Sequence, residues 1–222
     1  MSAEDSRSVV APWGLLDAMV AYLLGFVGSG IVAGALQAGD GASMGARFVA
    51  NVPLWAAFVA GPILATRARG RGPVAELRLA VHPADFGAVL VGAVAQIAIT
   101  AAYLPFVSRE ELEAPSRSLV DAAGGGGRWI LVVMSCVIAP LTEELFYRGL
   151  VMGALNRRFA PWLAAGISAL VFGASHFQAL QLPGLVAFGF LAGMLSLRSG
   201  RLGTAVAAHV GFNAAALWYL LG

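Results

Sequence analysis

The sequence predicts an all-α fold, a polytopic membrane helix bundle of about seven transmembrane spans in a single domain, residues 1–222. Three observations predict it. Of 222 residues, 59% are hydrophobic, and the mean hydropathy is +0.80. Only 12% are charged, about half the share of an ordinary globular chain. A soluble domain of this size has too little interior to hide so much apolar surface. Finally, the apolar residues fall in runs close to the roughly 20 that a helix needs to cross a bilayer.

Seven runs stand out, at about 13–37, 48–66, 84–107, 129–152, 161–177, 183–198 and 202–221. Met1 to Ala11 is mixed in charge and no clear cleavage site follows, so the first run is expected to be a span and not a signal peptide. The second run is followed by the basic stretch 67–82, expected as an ordinary loop. The third opens after His82 and Pro83, where Asp85 is placed to help cap a helix. The longest polar stretch, about 108–128, ends in Gly124 to Gly127, expected to be a flexible hinge before the fourth span. Trp13, Trp129, Trp162 and Trp218 lie near span ends, as interfacial anchors do. Gly30 and Gly34 on the first span, and Gly189 and Gly193 on the sixth, are expected to let helices approach closely.

Charge placement sets an orientation. All 14 basic residues are Arg. They crowd the second connection (Arg67, Arg69, Arg71, Arg78), the fourth (Arg157, Arg158) and the sixth (Arg198, Arg201). The third connection is acidic on balance and the fifth carries no charge. The positive-inside rule then puts the N-terminus in the cytoplasm and the C-terminus outside, in a membrane expected to be the prokaryotic plasma membrane. These short clusters offer no continuous basic face, so no nucleic-acid partner is expected. The single cysteine, Cys136, makes no internal disulfide and no cysteine metal site.

Charges inside a span are costly and mark candidate sites. The fourth span carries Pro140-Leu141-Thr142-Glu143-Glu144-Leu145-Phe146-Tyr147-Arg148. Glu144 and Arg148 are i,i+4, share a face and can neutralise one another. Glu143 points about 100° away and has no such partner on its own helix, although Tyr147, i+4 from it, could offer a hydroxyl. Glu144 therefore reads as structural and Glu143 as reactive, with pairing of both to Arg148 as the alternative. Pro140 cannot donate to the Cys136 carbonyl, so a kink is expected before the carboxylates. His176 follows Phe172 at i+4 at the end of the fifth span, and His209 precedes Asn213 at i+4 in the seventh. Glu143 and His176 are nearly symmetric about the turn near Arg157 to Pro161, so a hairpin sets them at similar height. His209 is only about two turns from the Arg198–Arg201 turn, and a fourth–fifth hairpin protruding on the cytoplasmic side reconciles the depths. Ser175, beside His176, is a poor nucleophile candidate because adjacent helix residues do not face each other.

A carboxylate and an imidazole together can polarise water, and a second His with an Asn amide can donate to a developing oxyanion. That is a hydrolytic set without a serine or cysteine nucleophile. Glu143-Glu144 with Arg148, Phe172 with His176, and His209 with Asn213 resemble the three motifs of the CPBP family, the CAAX prenyl endopeptidases and bacteriocin-processing or immunity proteins also called the ABI family. The resemblance covers about 129–215. It implies an intramembrane glutamate-dependent endopeptidase acting on a membrane-embedded or lipidated peptide or protein. By that resemblance Glu143 is the general base, His176 assists it, His209 and Asn213 hold the oxyanion, and Glu144, Arg148 and Phe172 support them. No cofactor is expected. Zinc held by two His and two Glu is the alternative, disfavoured because Arg148 already uses Glu144 and Asn rarely ligates zinc. Two rival functions remain: a non-catalytic immunity or scaffold protein of the same family, and a proton-coupled carrier. A carrier predicts charges on more spans and an internal repeat, and the sequence has neither. Oligomeric state is not legible.

Overall fold

The computed structural model describes residues 13–39 and 41–221, which are helical with no strand among them. The reading of Met1 to Ala11 lies outside the described residues. The helices are α1 (Leu15–Ala35), α2 (Met44–Arg69), α3 (Pro83–Tyr103), α4 (Arg109–Ala122), α5 (Gly127–Leu155), α6 (Pro161–Ala174), α7 (Leu182–Ser199) and α8 (Leu202–Leu221). Six are long and apolar enough to cross a membrane, and α6, with 14 residues, is a shorter apolar helix in the expected place. The all-helical bundle of about seven spans is thus the observed architecture.

α4 is an addition to the expected pattern. Its Ser108 accepts from the Glu111 N–H at 3.2 Å while the Glu111 carboxylate accepts from the Ser108 N–H at 3.2 Å, a reciprocal cap that starts the helix inside the polar stretch. Gly124–Gly126 form the turn after it, and Gly127 already begins α5.

α1 packs on α2, α3 on α8 and α6 on α7, and α5 lies among them against α1, α2, α6 and α8. The α3–α8 crossing is the tightest. A methyl group at Gly92 would run into the Ala208 carbonyl, and one at Gly211 into the Val89 carbonyl. These two glycines set the approach of the helix that carries His209 and Asn213. Gly30 and Gly34, expected as packing positions, have no neighbour within 4 Å and face outward. The α1–α2 contact uses Gly25 against Leu54, and Gly61 against Ala21.

Among the described residues, the ion pairs between helix ends gather at the arginine-rich end of the bundle. Arg69 pairs with Asp17, Arg157 with Glu76 at 3.5 Å, and Arg201 with Asp85 at 2.7 Å. Asp85 does more than cap α3. It is 2% exposed and accepts from the His82 N–H at 2.7 Å, Arg201 Nη2 at 2.7 Å and Thr204 Oγ1 at 2.5 Å. Burial pushes the Glu76 carboxyl up, but bonds from the Arg71 N–H and guanidinium, with the charges of Arg71 and Arg157, outweigh it and hold the group below its ordinary value. Three tryptophans sit exposed near helix ends: Trp129, Trp162 and Trp218. Trp13 departs from that expectation. It is buried, with the Arg157 guanidinium 3.8 Å over its ring, because a cation can stack on an indole and replace the interface as its polar contact. The 67–82 connection is also more ordered than a loop: a turn at Pro73–Glu76 brings Leu77 into contact with Leu145 and Leu202.

Candidate active site

The site begins with an irregularity in α5. Residues Met134–Ile138 and Leu145–Val151 are π-helical, and the regular turn Ala139–Glu144 between them carries both glutamates. Pro140 explains the first bulge. The Ala139 N–H bonds the Met134 carbonyl, five residues back, and so misses Ser135. The next amide in that register belongs to Pro140, which has no N–H to give. The Ser135 carbonyl is left over, and Asn213 Nδ2 donates to it at 2.7 Å. The expected kink is therefore a widened turn, and it binds α5 to α8 through one of the candidate residues.

Glu144 and Arg148 pair as their spacing implies, Nη1 to Oε1 at 2.9 Å, with both side chains almost fully buried. Arg148 Nη2 also donates to the Gly189 carbonyl at 2.9 Å, and its guanidinium carbon lies 4.7 Å over the Phe172 ring. A buried cation needs this many partners to offset its lost hydration. His209 Nδ1 donates to the same Glu144 Oε1 at 2.8 Å, and its other nitrogen, Nε2, faces Glu143 Oε2 at 3.8 Å. The separation exceeds a direct hydrogen bond. Glu143 keeps 19% of its side chain exposed, whereas Glu144 has none exposed. The adjacent carboxylates thus occupy the two environments that helix geometry assigns them.

His176 lies one residue past the C-cap of α6. Its Nδ1 is 2.8 Å from the Phe172 carbonyl, which can only accept, so Nδ1 carries the proton and Nε2 is free. Both histidines are therefore anchored through Nδ1–H and present Nε2. Phe172 is the piece between them, its ring centroid 4.7 Å from that of His176 and 5.8 Å from that of His209. No hydrogen bond or ion pair joins Glu143 to His176 among the described residues.

Tyr147 does not serve Glu143. Its hydroxyl is 2.6 Å from Ser175 Oγ, which in turn donates to the Phe172 carbonyl at 2.7 Å. Ser175 is thereby a strut between α5 and the end of α6. Phe188, 5.0 Å from the His209 ring centroid, and the Gly189 carbonyl complete the surroundings. Both escaped the sequence reading. Their only trace was Gly189 itself, where a methyl group would lie 3.1 Å from Phe172 and 3.2 Å from the Ala169 backbone. Close packing at that glycine is what brings its carbonyl within reach of Arg148.

The Glu144–His209 bond also fixes relative depth. From it to the arginine-rich end is about 16 Å along α5 and about 10 Å along α8, so the α5–α6 hairpin extends further at that end. Among the described residues no three His, Cys, Asp or Glu side chains gather as a metal-holding group. Glu144 Oε1 is already shared by Arg148 and His209, so Glu144 is the least available of the four donors that the zinc alternative would use.

Comparison with known proteins agrees with the family resemblance. Residues 125–215, about two-fifths of the chain, match the family described as type II CAAX prenyl endopeptidase Rce1-like. A Bacillus subtilis (strain 168) protein named "Putative membrane peptidase YdiL" is 29% identical over 84 residues, 38% of this chain and 34% of that protein. An Escherichia coli protein named "Uncharacterized 24.3 kDa protein" is 34% identical over 79 residues, 33% of this chain and 36% of the relative. The matches thus span about a third of the length of these curated relatives. No solved structure matches the chain.

Proposed function

We propose that the protein is an intramembrane endopeptidase that hydrolyses a peptide bond of a membrane-associated protein or a lipidated, CAAX-like tail. Similarity to a membrane peptidase family over the helices that carry the site supports the class. The observation that carries the chemistry is the Glu143–His209 pair. Glu143 Oε2 stands 3.8 Å from His209 Nε2, while His209 Nδ1 is held by the buried Glu144–Arg148 ion pair.

A water beside Glu143 gives its proton to that carboxylate as its oxygen attacks the scissile carbonyl carbon. His176, through its free Nε2, steadies this water or relays the proton. The carbonyl oxygen becomes an oxyanion. The second Asn213 amide hydrogen, and His209 Nε2–H in its doubly protonated form, donate to it. The tetrahedral centre then collapses, the C–N bond breaks, and the proton on Glu143 passes to the leaving amine. Glu144 and Arg148 touch no substrate and act by holding His209. No metal takes part in this scheme. The arginine-rich end is read as cytoplasmic, by the positive-inside rule.

The test is proteolysis of membrane-tethered and lipidated peptides by the purified protein, with and without a chelator. Cleavage that survives chelation and is lost in Glu143→Gln and His176→Ala, both still folded, is the expected result. Cleavage lost to chelator and restored by zinc would overturn the metal-free scheme. A biological function that Glu143→Gln retains in cells would favour the scaffold reading.

A further inference from the structure

On the far side of α5 from Glu143 lies a cleft of about 500 Å³, of the size that holds a small ligand. Its walls are Phe86 and Val89 of α3, Leu141 and Leu145 of α5, and Val206 and Val210 of α8. Residues Leu202, Val206 and Val210 repeat at i,i+4, so the apolar stripe runs about 12 Å along α8. Asp85 is its one ionisable lining residue, and that carboxylate is spent on Arg201, Thr204 and His82. The cleft opens sideways, in the region that the long apolar helices set inside a bilayer: Phe86 is 74% exposed and Leu141 51%. At its arginine-rich end the Arg78 carbonyl accepts the Leu202 N–H at 3.0 Å, which sets Arg78 at the rim beside the lining residue Leu79. Arg78 is exposed and forms no ion pair among the described residues.

We propose that this cleft holds one acyl chain of an anionic phospholipid of the surrounding bilayer, with its phosphate at Arg78. The walls reject water and offer nothing to a polar ligand. The rim supplies one cation, Arg78, at the arginine-rich end, and the protein does not neutralise it. A chain seated there packs against the residues next to Glu144 and His209, namely Leu145, Val206 and Val210. The lipid is thus a buttress behind the site, reached from the opposite side to the peptide.

The experiment uses the full chain in phosphatidylcholine nanodiscs containing a trace of phosphatidylglycerol with a diazirine in its acyl chain. Cross-links are expected on Leu141–Leu145 and Val206–Val210 above those on the outward α1 residues Leu16, Leu23 and Val27. One arginine near an anionic headgroup gives a preference of about fivefold over the equivalent phosphatidylcholine probe. Arg78→Gln should erase that preference, and Ala207→Phe should exclude the chain. Equal labelling by the two lipids, or equal labelling of α1, would overturn the proposal on the wild type alone, whether or not the variants fold. Labelling displaced by a lipidated peptide but not by excess unlabelled phosphatidylglycerol would also overturn it, and would give the cleft to the substrate. None of these readouts depends on peptide cleavage.

Discussion

Asn213 donates its side-chain amide to the Ser135 carbonyl at 2.7 Å, joining α8 to α5 at the point where Pro140 leaves a backbone acceptor without a helical partner. One residue is thereby a structural tie and an oxyanion candidate at once. Asn213→Leu is expected to cost about 1–2 kcal/mol, because the carbonyl loses its donor. In the background of Pro140→Ala, which returns an N–H to that register, the same change should cost measurably less. A double-mutant cycle on thermal unfolding checks the coupling, and strict additivity would sink it.

Removing one partner of the Glu144–Arg148 pair leaves the other charge buried. Arg148→Met is expected to destabilise the fold by about 3–5 kcal/mol. Glu143→Gln, with its side chain part-exposed and beyond hydrogen-bond distance of His209, should stay within about 1 kcal/mol of wild type. Unfolding in detergent separates the two. Equal losses would mean that the adjacent glutamates do not differ in role as their environments imply.

Gly92→Ala and Gly211→Ala drive a methyl group into a backbone carbonyl, which cannot move as a side-chain tip does. Each should destabilise by about 3 kcal/mol or more. Gly30→Ala and Gly34→Ala meet open space on the same kind of helix and should gain up to about 1 kcal/mol. Melting temperatures of the four variants give the contrast directly.

Glu76 brings a pH dependence outside the spans. Its folded value is depressed, so its contribution is complete above the unfolded carboxylate value of about 4.3 and is lost as pH falls through the lower folded value. Glu76→Gln should therefore melt below wild type at pH 7, with the gap closing only in acid. A gap that does not change between pH 7 and pH 3 would show that Glu76 acts by shape alone.

The residues that sequence pattern handled best are those governed by local geometry. Glu144 and Arg148 meet because i,i+4 neighbours meet, and the spans follow from run length alone. The convergence of Glu143 and His209 was legible only through the joint presence of three motifs, since nothing within one helix says which helices adjoin. What escaped is tertiary or depends on backbone detail. The spacing offered the Tyr147 hydroxyl to Glu143, but the end of α6 arrives with Ser175 and claims it. Gly92 and Gly211 look no different in sequence from Gly30 and Gly34, because a glycine's role depends on the chain opposite. Pro140 marked an irregularity, but not that Asn213 would answer it.

The 14 residues of α6 rise about 21 Å, against a hydrocarbon core of about 30 Å. Thinning of the bilayer is one way to accommodate so short a helix, and next to Ala174 it would bring headgroups and water toward His176, just past the C-cap. Under the proposed function, such thinning would admit the second reactant of the hydrolysis to an otherwise oily interior. It also makes the protein a gauge of membrane thickness: cleavage should quicken in bilayers of shorter lipids and slow in longer ones, and a rate indifferent to chain length would deny α6 that part.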